Sequence, residues 1–431
     1  MMIFRYLKRP FIMPEILFGA FLLVFTVLFG PVFGPFARLL GFAAIGLFTV
    51  ELFYRGRIVD FIETVRPAWP YLMFYIVLPI LLLPLFPYFP RVWNNFTGFC
   101  AFLAIFYIMR KYHKMEFVDM SYIAIIYGIA LLFLVMPGLV GMDTSVDRLR
   151  LNASALGKED RGLNASNISL LTGLACFIAA KRIAMHPLGA RQFRRLMSMS
   201  WYYVGGILVG AYLIIGYSGS RQGLVWFVFL GIFMLAVFFK KNLFFGIVFS
   251  AFGGLIGLAG SLFVFRNTLV VQRILILFDQ RQLALEGEKS FYTRGEMYVR
   301  AFEMWKDSPL WGNGNEAYRA FSGFGTYSHS NYSEIFVNYG ILGAMFYYIP
   351  ILLLIWMSSL RLISVNMFGR AHYMWILIAC VAILVSNLFI PSYYQKCMVF
   401  FLAYLFATYY NIKEVEQRQM ASGARGSSRF A

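Results

Sequence analysis

Runs of about 20 apolar residues, broken by short polar or basic connections, recur along the chain, and each is long enough to cross a bilayer as a helix. The pattern predicts spans over 11–29, 36–54, 70–90, 95–109, 119–140, 166–180, 200–217, 223–239, 242–265, 332–358, 372–391 and 397–412. The expectation is an all-α polytopic membrane protein with about 12 transmembrane helices. Residues 1–265 hold spans one to nine, 266–331 a long outer loop, 332–412 the last three spans, and 413–431 a cytoplasmic tail. The first ten residues, MMIFRYLKRP, are basic, and the apolar run behind them ends in GPVFGP rather than a small-residue cleavage site. That run reads as a retained span, not a removed signal peptide.

Composition agrees with the pattern. Only 13% of the residues are charged, against about 25% in soluble domains. The net charge of +18 would suggest a nucleic-acid partner until the charges are placed on the spans. Twenty-two of the 38 basic residues and 8 of the 20 acids then fall on one face, leaving about +14 of the +18 there. Arg55, Arg57, Arg66, Arg110, Lys111 and Lys181 are among them. By the positive-inside rule this face is cytoplasmic and both termini lie on it. The basic excess is therefore mostly topology. The four cysteines, Cys100, Cys176, Cys380 and Cys397, lie in or beside spans without metal-ligand spacing and read as helix-packing residues.

The long outer loop has a helical pattern of its own, TRGEMYVRAFEMWKDSPLWGNG. Thr293 with Glu296 three residues on resembles a capping box, and Met297, Ala301, Met304 and Trp305 form an apolar stripe at helical spacing. SPLWGNG closes the segment with Pro and Gly turn chemistry. Two placements suit such an amphipathic helix: the outer membrane interface, or packing on the bundle. The outer face also carries 16 basic residues, mostly arginine, against the trend of the positive-inside rule. Arg148, Arg150 and Arg161 come from the first outer loop, and Arg266, Arg273, Arg281, Arg294, Arg300 and Arg319 from the second. Salt pairing on a solvated loop accounts for part of this excess. The remainder points to an anionic ligand such as a phosphate or pyrophosphate, which the guanidinium fork suits.

Arg221 is placed more sharply. In IIGYSGSRQGLVWF it follows a polar step and opens the next apolar run, beside a helix N-terminus whose unpaired N–H groups favour an anion. Snorkelling to the interface is the competing account. Of the four histidines, His113, His186 and His372 sit in or near basic cytoplasmic loops. His329, in FGTYSHSNYSEIFVNYGILG, is the outer one, and an imidazole there can take a proton from a hydroxyl at neutral pH. No nucleophile-and-orienter set accompanies it, so a hydrolase triad is not indicated. No Asp-x-Asp pair appears on the outer face, and the DTSVD stretch is a weak metal candidate.

The succession SGSRQG at a span boundary, TRGEMYVRAFEMWKDSPLWGNGNEAY in a long outer loop and SHSNYSEIFVNYGILG leading into a helix resembles the O-antigen ligase and O-antigen polymerase superfamily. EDRGLNASNISLLTG at 159–173 resembles a further element of that family. The chain departs from the family's His-Asn pair by reading His329-Ser330-Asn331. The resemblance implies a GT-C-like helical fold and an inverting transfer of a glycan from undecaprenyl pyrophosphate to an acceptor hydroxyl, without metal, nucleotide or other cofactor. It implies Arg221 and Arg294 on the pyrophosphate and His329 as the base. Arg161, Arg266, Arg300, Asn331 and Tyr332 are the expected substrate-binding residues. The expected setting is the bacterial inner membrane, with the site on the periplasmic side and membrane lipids around the bundle. A lipid-linked glycan or lipid A–core would be the acceptor, and a chain-length regulator a further partner.

Polymerase and ligase share these motifs. A third kind of relative glycosylates protein hydroxyls. By the resemblance, the short separation of Arg294 from His329, 35 residues, favours polymerisation of lipid-linked O-antigen or capsule repeats over ligation, and the short C-terminal tail speaks against the protein-directed kind. Transfer of the finished glycan to lipid A–core is the alternative. About a dozen spans would also suit a lipid-linked sugar transporter, but no pattern matches between the two halves and the charges gather at one face.

Overall fold

The computed structural model describes residue 46 and residues 58–83, 89–112, parts of 119–130, 142–143, 148–149, 165–185, 193–214, 221–238, 288–364, 367–389 and 391–427. Apart from Gly46, the spans expected at 11–29, 36–54 and 242–265 lie outside the described residues. The regular structure of the described part is helical except for a two-residue antiparallel ladder pairing Met142–Asp143 with Arg148–Leu149. Two of its helices are long and apolar enough to cross a membrane, Ile58–Leu81 (α1) and the Asn331–Ile363 part of a longer helix.

Helix α1 starts 12 residues before the expected span, so Arg66, expected in a loop, lies inside it. The run IVDFIETV is already helix-forming, and the chain continues through a 3-10 turn at Arg66–Ala68. Pro67, Pro70 and Pro79 remove ladder donors along this helix, and a π turn at Met73–Val77 lies between the last two. Next come Phe89–Tyr112 (α2), Ala165–Met185 (α3), Phe193–Tyr212 (α4) and Arg221–Phe238 (α5). Glu288–Asp307 (α6) and the short Ala317–Phe321 (α7) belong to the long loop. Asn331–Ser364 (α8), Met367–Ser386 (α9) and Lys396–Ser427 (α10) complete the order. Helix α10 runs 15 residues past the expected span end, so most of the tail is helical, with Glu414 and Arg418 paired one turn apart.

The core is aromatic. The Phe74 ring meets those of Tyr339, Tyr347 and Tyr393 with centroids 5.4, 5.0 and 5.8 Å away. Helix α8 buries Ile335, Tyr339, Tyr347 and Leu354 but leaves Met345, Ile349, Leu353, Trp356, Leu360 and Ile363 exposed. A helix apolar on both its buried and its open face suits a lipid surround.

The bundle has two chemically different ends. At one, Lys111 pairs with Asp60 (2.6 Å), Arg110 with Glu414 (3.4 Å) and Arg361 with Glu416 (3.8 Å). At the other, Asn315 donates to the Pro79 carbonyl (2.9 Å) and Tyr75 to that of Tyr393 (2.8 Å), while the Asn331 N–H donates to the Asn387 carbonyl (2.8 Å). Helices α3 and α5 run parallel, with Phe177 packed on Trp226 and then Phe233, and both begin toward this second end. Their first turns touch where the Gly223 N–H donates to Ser169 Oγ at 2.8 Å.

Lys181 and Asp119 form a buried ion pair of 3.3 Å toward the basic end, with Tyr404 donating to the same carboxylate and the ammonium over its ring. Removing one member of such a pair strands the other in a site of low polarity. Asp119→Asn is expected to destabilise the protein by about 3–5 kcal/mol. The check is thermal unfolding in detergent, where an Asp119→Leu/Lys181→Met double variant should recover much of the loss.

Candidate active site

Helix α6 carries Arg294. It begins at Glu288, five residues ahead of Thr293, so Thr293 lies within the helix and does not cap it. No Pro or Gly interrupts 288–294, and the described helix is continuous from Glu288 through Thr293. The expected stripe is present: Met297, Ala301 and Met304 are buried against Tyr318 and Val337, with Trp305 packed beside them. The amphipathic face is thus turned onto α8. Tyr298, Val299 and Phe302 stay exposed on the same helix, as do Leu310 and Trp311 after it. Arg294 is exposed and has no ion-pair partner among the described residues. Arg300, also exposed, is engaged with Glu303 (3.1 Å) and with the Phe321 carbonyl (3.5 Å). Gly295, Glu296, Val299, Arg300, Glu303 and the 322–324 segment border an open groove along α6.

The turn after α6 locks into a break in α8. Gly340 has φ +62° and ψ −160°, far from helical values, which frees backbone groups on both sides of it. The SPLWGNG turn takes them up. Asn313 N–H donates to the Val337 carbonyl (2.7 Å) and Gly314 N–H to that of Asn338 (3.0 Å). In return Ile341 N–H donates to the Pro309 carbonyl (2.9 Å) and Leu342 N–H to that of Leu310 (3.2 Å). Asn313 Nδ2 adds bonds to the Met304 and Val337 carbonyls, tying the end of α6 to α8. Four exchanged backbone bonds hold the turn as two strands of a sheet would be held.

His329 stands just ahead of α8, half-buried, with φ +59°, a left-handed conformation uncommon for a side chain with a Cβ. Its neighbours are pinned. Ser328 N–H donates to Glu334 Oε1 at 2.6 Å, and Ser328 Oγ donates to the Ser330 carbonyl at 3.0 Å. Ser330 caps α8, its Oγ facing the Ser333 N–H at 3.5 Å and its carbonyl accepting the Glu334 N–H. The Tyr327 ring lies against the imidazole, centroids 4.4 Å apart. Single positions of this kind collect at functional sites, where the surroundings over-determine them.

A scan against known families matches residues 206–348 to the family described as O-antigen ligase. That stretch, 143 of the 431 residues, is similar to the O-antigen polymerase and ligase superfamily and spans Arg221, α6, the SPLWGNG turn and His329. Together with the long apolar helices it marks a membrane protein. No curated protein matches the chain.

Within the matched stretch Arg221 is the first residue of α5, at the same end of the bundle as His329. Arg161 and Arg266 lie outside the described residues. Asn331 and Tyr332 sit on the first turn of α8. The Asn331 side chain has no exposed surface; its Nδ2 donates to the Tyr348 hydroxyl and its Oδ1 accepts the Tyr393 N–H, both at 2.9 Å. Tyr332 stacks on Tyr348 and donates to the Leu384 carbonyl at 3.0 Å. Both residues fix the start of α8 against the end of α9.

Two residues of the site were not foreseen from sequence: Glu334 and Asn338, buried at 3% and 0% exposure. Glu334 Oε2 accepts from Asn338 Nδ2 (3.2 Å), which also reaches the Tyr393 hydroxyl (3.2 Å). Asn338 Oδ1 accepts the Tyr318 N–H at 3.1 Å. Burial, with the Glu334 charge second, pushes the Tyr318 phenol up, so it stays a neutral donor to the Met297 carbonyl (3.2 Å). The sequence signal was faint, a Glu in the first turn of a helix and an Asn one turn on, inside what reads as an apolar run.

Proposed function

We propose that the chain transfers a glycan from undecaprenyl pyrophosphate to an acceptor hydroxyl, polymerising lipid-linked repeat units of O-antigen or capsule. The observation that carries this reading is His329, held left-handed inside the matched stretch just ahead of α8, the helix on which α6 packs with its exposed Arg294, which has no ion-pair partner among the described residues. The imidazole accepts the proton of the attacking hydroxyl as that oxygen bonds to the anomeric carbon. The bond from that carbon to the pyrophosphate oxygen breaks in the same displacement, which inverts the anomeric centre. Arg294 and Arg221, with the α5 N-terminus, receive the charge that grows on the leaving pyrophosphate. The proton on His329 then passes to water, and the lipid pyrophosphate departs. Arg161, Arg266 and the groove bordered by Arg300 supply further contacts to the anionic donor and the sugars. Charge asymmetry supports the orientation, with the basic end cytoplasmic in the bacterial inner membrane and the His329 end periplasmic.

The ligase reading is the second one, favoured by the family description itself. One experiment separates the two: gel analysis of surface glycan in a deletion strain complemented with the wild-type gene. Under the polymerase reading the uncomplemented strain carries single repeats on lipid A–core, and complementation restores a ladder. A deletion strain that instead gathers long chains on undecaprenyl pyrophosphate, with none on lipid A–core, establishes the ligase. An unchanged ladder in the deletion strain removes both.

A further inference from the structure

A single buried chain of hydrogen bonds links the residue before His329 to the helix that carries Arg294. Its members are Ser328 N–H, the Glu334 carboxylate, the Asn338 amide, the Tyr318 backbone N–H and hydroxyl, and the Met297 carbonyl, at 2.6, 3.2, 3.1 and 3.2 Å in turn. Ser328, Glu334, Asn338 and Tyr318 are each at most 3% exposed. A carboxylate at such depth is costly, and an apolar side chain would fill the same space at less cost if packing were the whole purpose. What the carboxylate alone does is accept two donors at once, from the loop on one side and from the amide on the other. It also stands in the first turn of α8, where a negative charge is favoured.

We propose that Glu334 is a positioning residue for glycan transfer: through Ser328 it holds His329 in its left-handed pose, and through Asn338 and Tyr318 it sets that pose against the arginine helix. This rests on His329 as the base. A glutamine at 334 can accept from only one of the two donors, because its amide nitrogen turns a donor toward either Ser328 N–H or Asn338 Nδ2. Moving the carboxylate to position 338 restores the match. In the Glu334→Gln/Asn338→Asp double variant the relocated carboxylate would accept from the new glutamine amide, from the Tyr318 N–H and from a reoriented Tyr393 hydroxyl.

The test uses purified full-length protein in detergent with a lipid-linked glycan donor. Glu334→Gln is expected to lower kcat on the order of 10²-fold, the cost of a small misplacement of a reacting group. KM for the donor should stay within about twofold, since no arginine is touched. Hydrogen exchange across residues 324–333, read by mass spectrometry, should quicken in the same variant. The double variant should regain most of both. Should Glu334→Gln fail to fold, Glu334→Asp, which shortens the reach to Ser328, carries the same expectation.

Wild-type turnover and exchange in Glu334→Gln or Glu334→Asp overturn the proposal, as does a folded double variant as slow as the single one. His329→Asn, run in parallel, separates this from the underlying reading. If His329→Asn is inactive while Glu334→Gln is fully active, positioning fails and the base stands. If His329→Asn keeps wild-type turnover, the base assignment fails and Glu334 has no reacting group to position.

Discussion

His329→Asn should abolish glycan transfer while leaving the fold in place. Asparagine is among the few residues that occupy the left-handed region readily, so the backbone at φ +59° is kept. What is lost is the proton acceptor of the proposed mechanism, because a carboxamide is not a base at neutral pH. Removal of a positioned general base costs about 10²–10⁴ in rate. The loss should appear in kcat, with KM for the lipid-linked donor little changed, since the proposed mechanism assigns donor anchoring to Arg221 and Arg294. His329→Ala should be as inactive and somewhat less stable, because alanine is less tolerant of this conformation than asparagine. In cells the asparagine variant should reach the membrane at wild-type levels and still fail to restore the surface glycan of a deletion strain. A wild-type ladder from a well-expressed His329→Asn protein would remove the base assignment altogether.

The sequence carried the parts of this site that are local, and lost those that depend on distant partners. The α5 start at Arg221 was legible because a Ser-Gly-Ser step meets an apolar run there. The buried stripe of α6 was legible because Met297, Ala301 and Met304 keep helical spacing. The true start of α6 was not, since a Thr and a Glu three residues apart mimic a cap in the middle of a helix. Glu334 and Asn338 escaped for a different reason. Their partners, Ser328 and Tyr393, stand 6 and 55 residues away, and no periodicity records a contact made through a turn. Asn331 illustrates the converse. Its position after the histidine suggested a hand on substrate, while the structure uses both ends of its amide to join α8 to Tyr348 and Tyr393. The arginine excess divides in the same way. Arg300 and Arg319 face Glu303 and Glu316 at 3.1 and 3.9 Å, as a solvated loop would have them. Arg294 has no ion-pair partner among the described residues, which is what the proposed role on an anionic donor requires.

Gly340→Ala should prevent the domain from folding, although NYGILG reads in sequence as ordinary helix. At φ +62° and ψ −160° the residue occupies a region open to glycine and almost nothing else. A Cβ there would also stand 2.4 Å from the Leu310 carbonyl oxygen and 2.7 Å from the Gly312 nitrogen, and neither is a flexible side-chain end that can swing away. Relief of the clash requires expelling the SPLWGNG turn and breaking its four backbone bonds with α8. The expected cost is at least about 3 kcal/mol, enough to unfold a marginal domain. Gly312, at φ +76° and with a Cβ position 2.4 Å from the Tyr339 nitrogen, should behave alike. Gly295 is the contrast. It lies in the exposed middle of α6 with nothing within 4 Å of its Cβ position, so Gly295→Ala should stabilise the protein by about 0.5–1 kcal/mol. Size-exclusion chromatography of the detergent-extracted proteins, followed by thermal unfolding of whatever is monodisperse, reads all three. Gly340→Ala behaving like Gly295→Ala would mean that the turn does not dock on α8, and the arginine helix and His329 would then lose their common support.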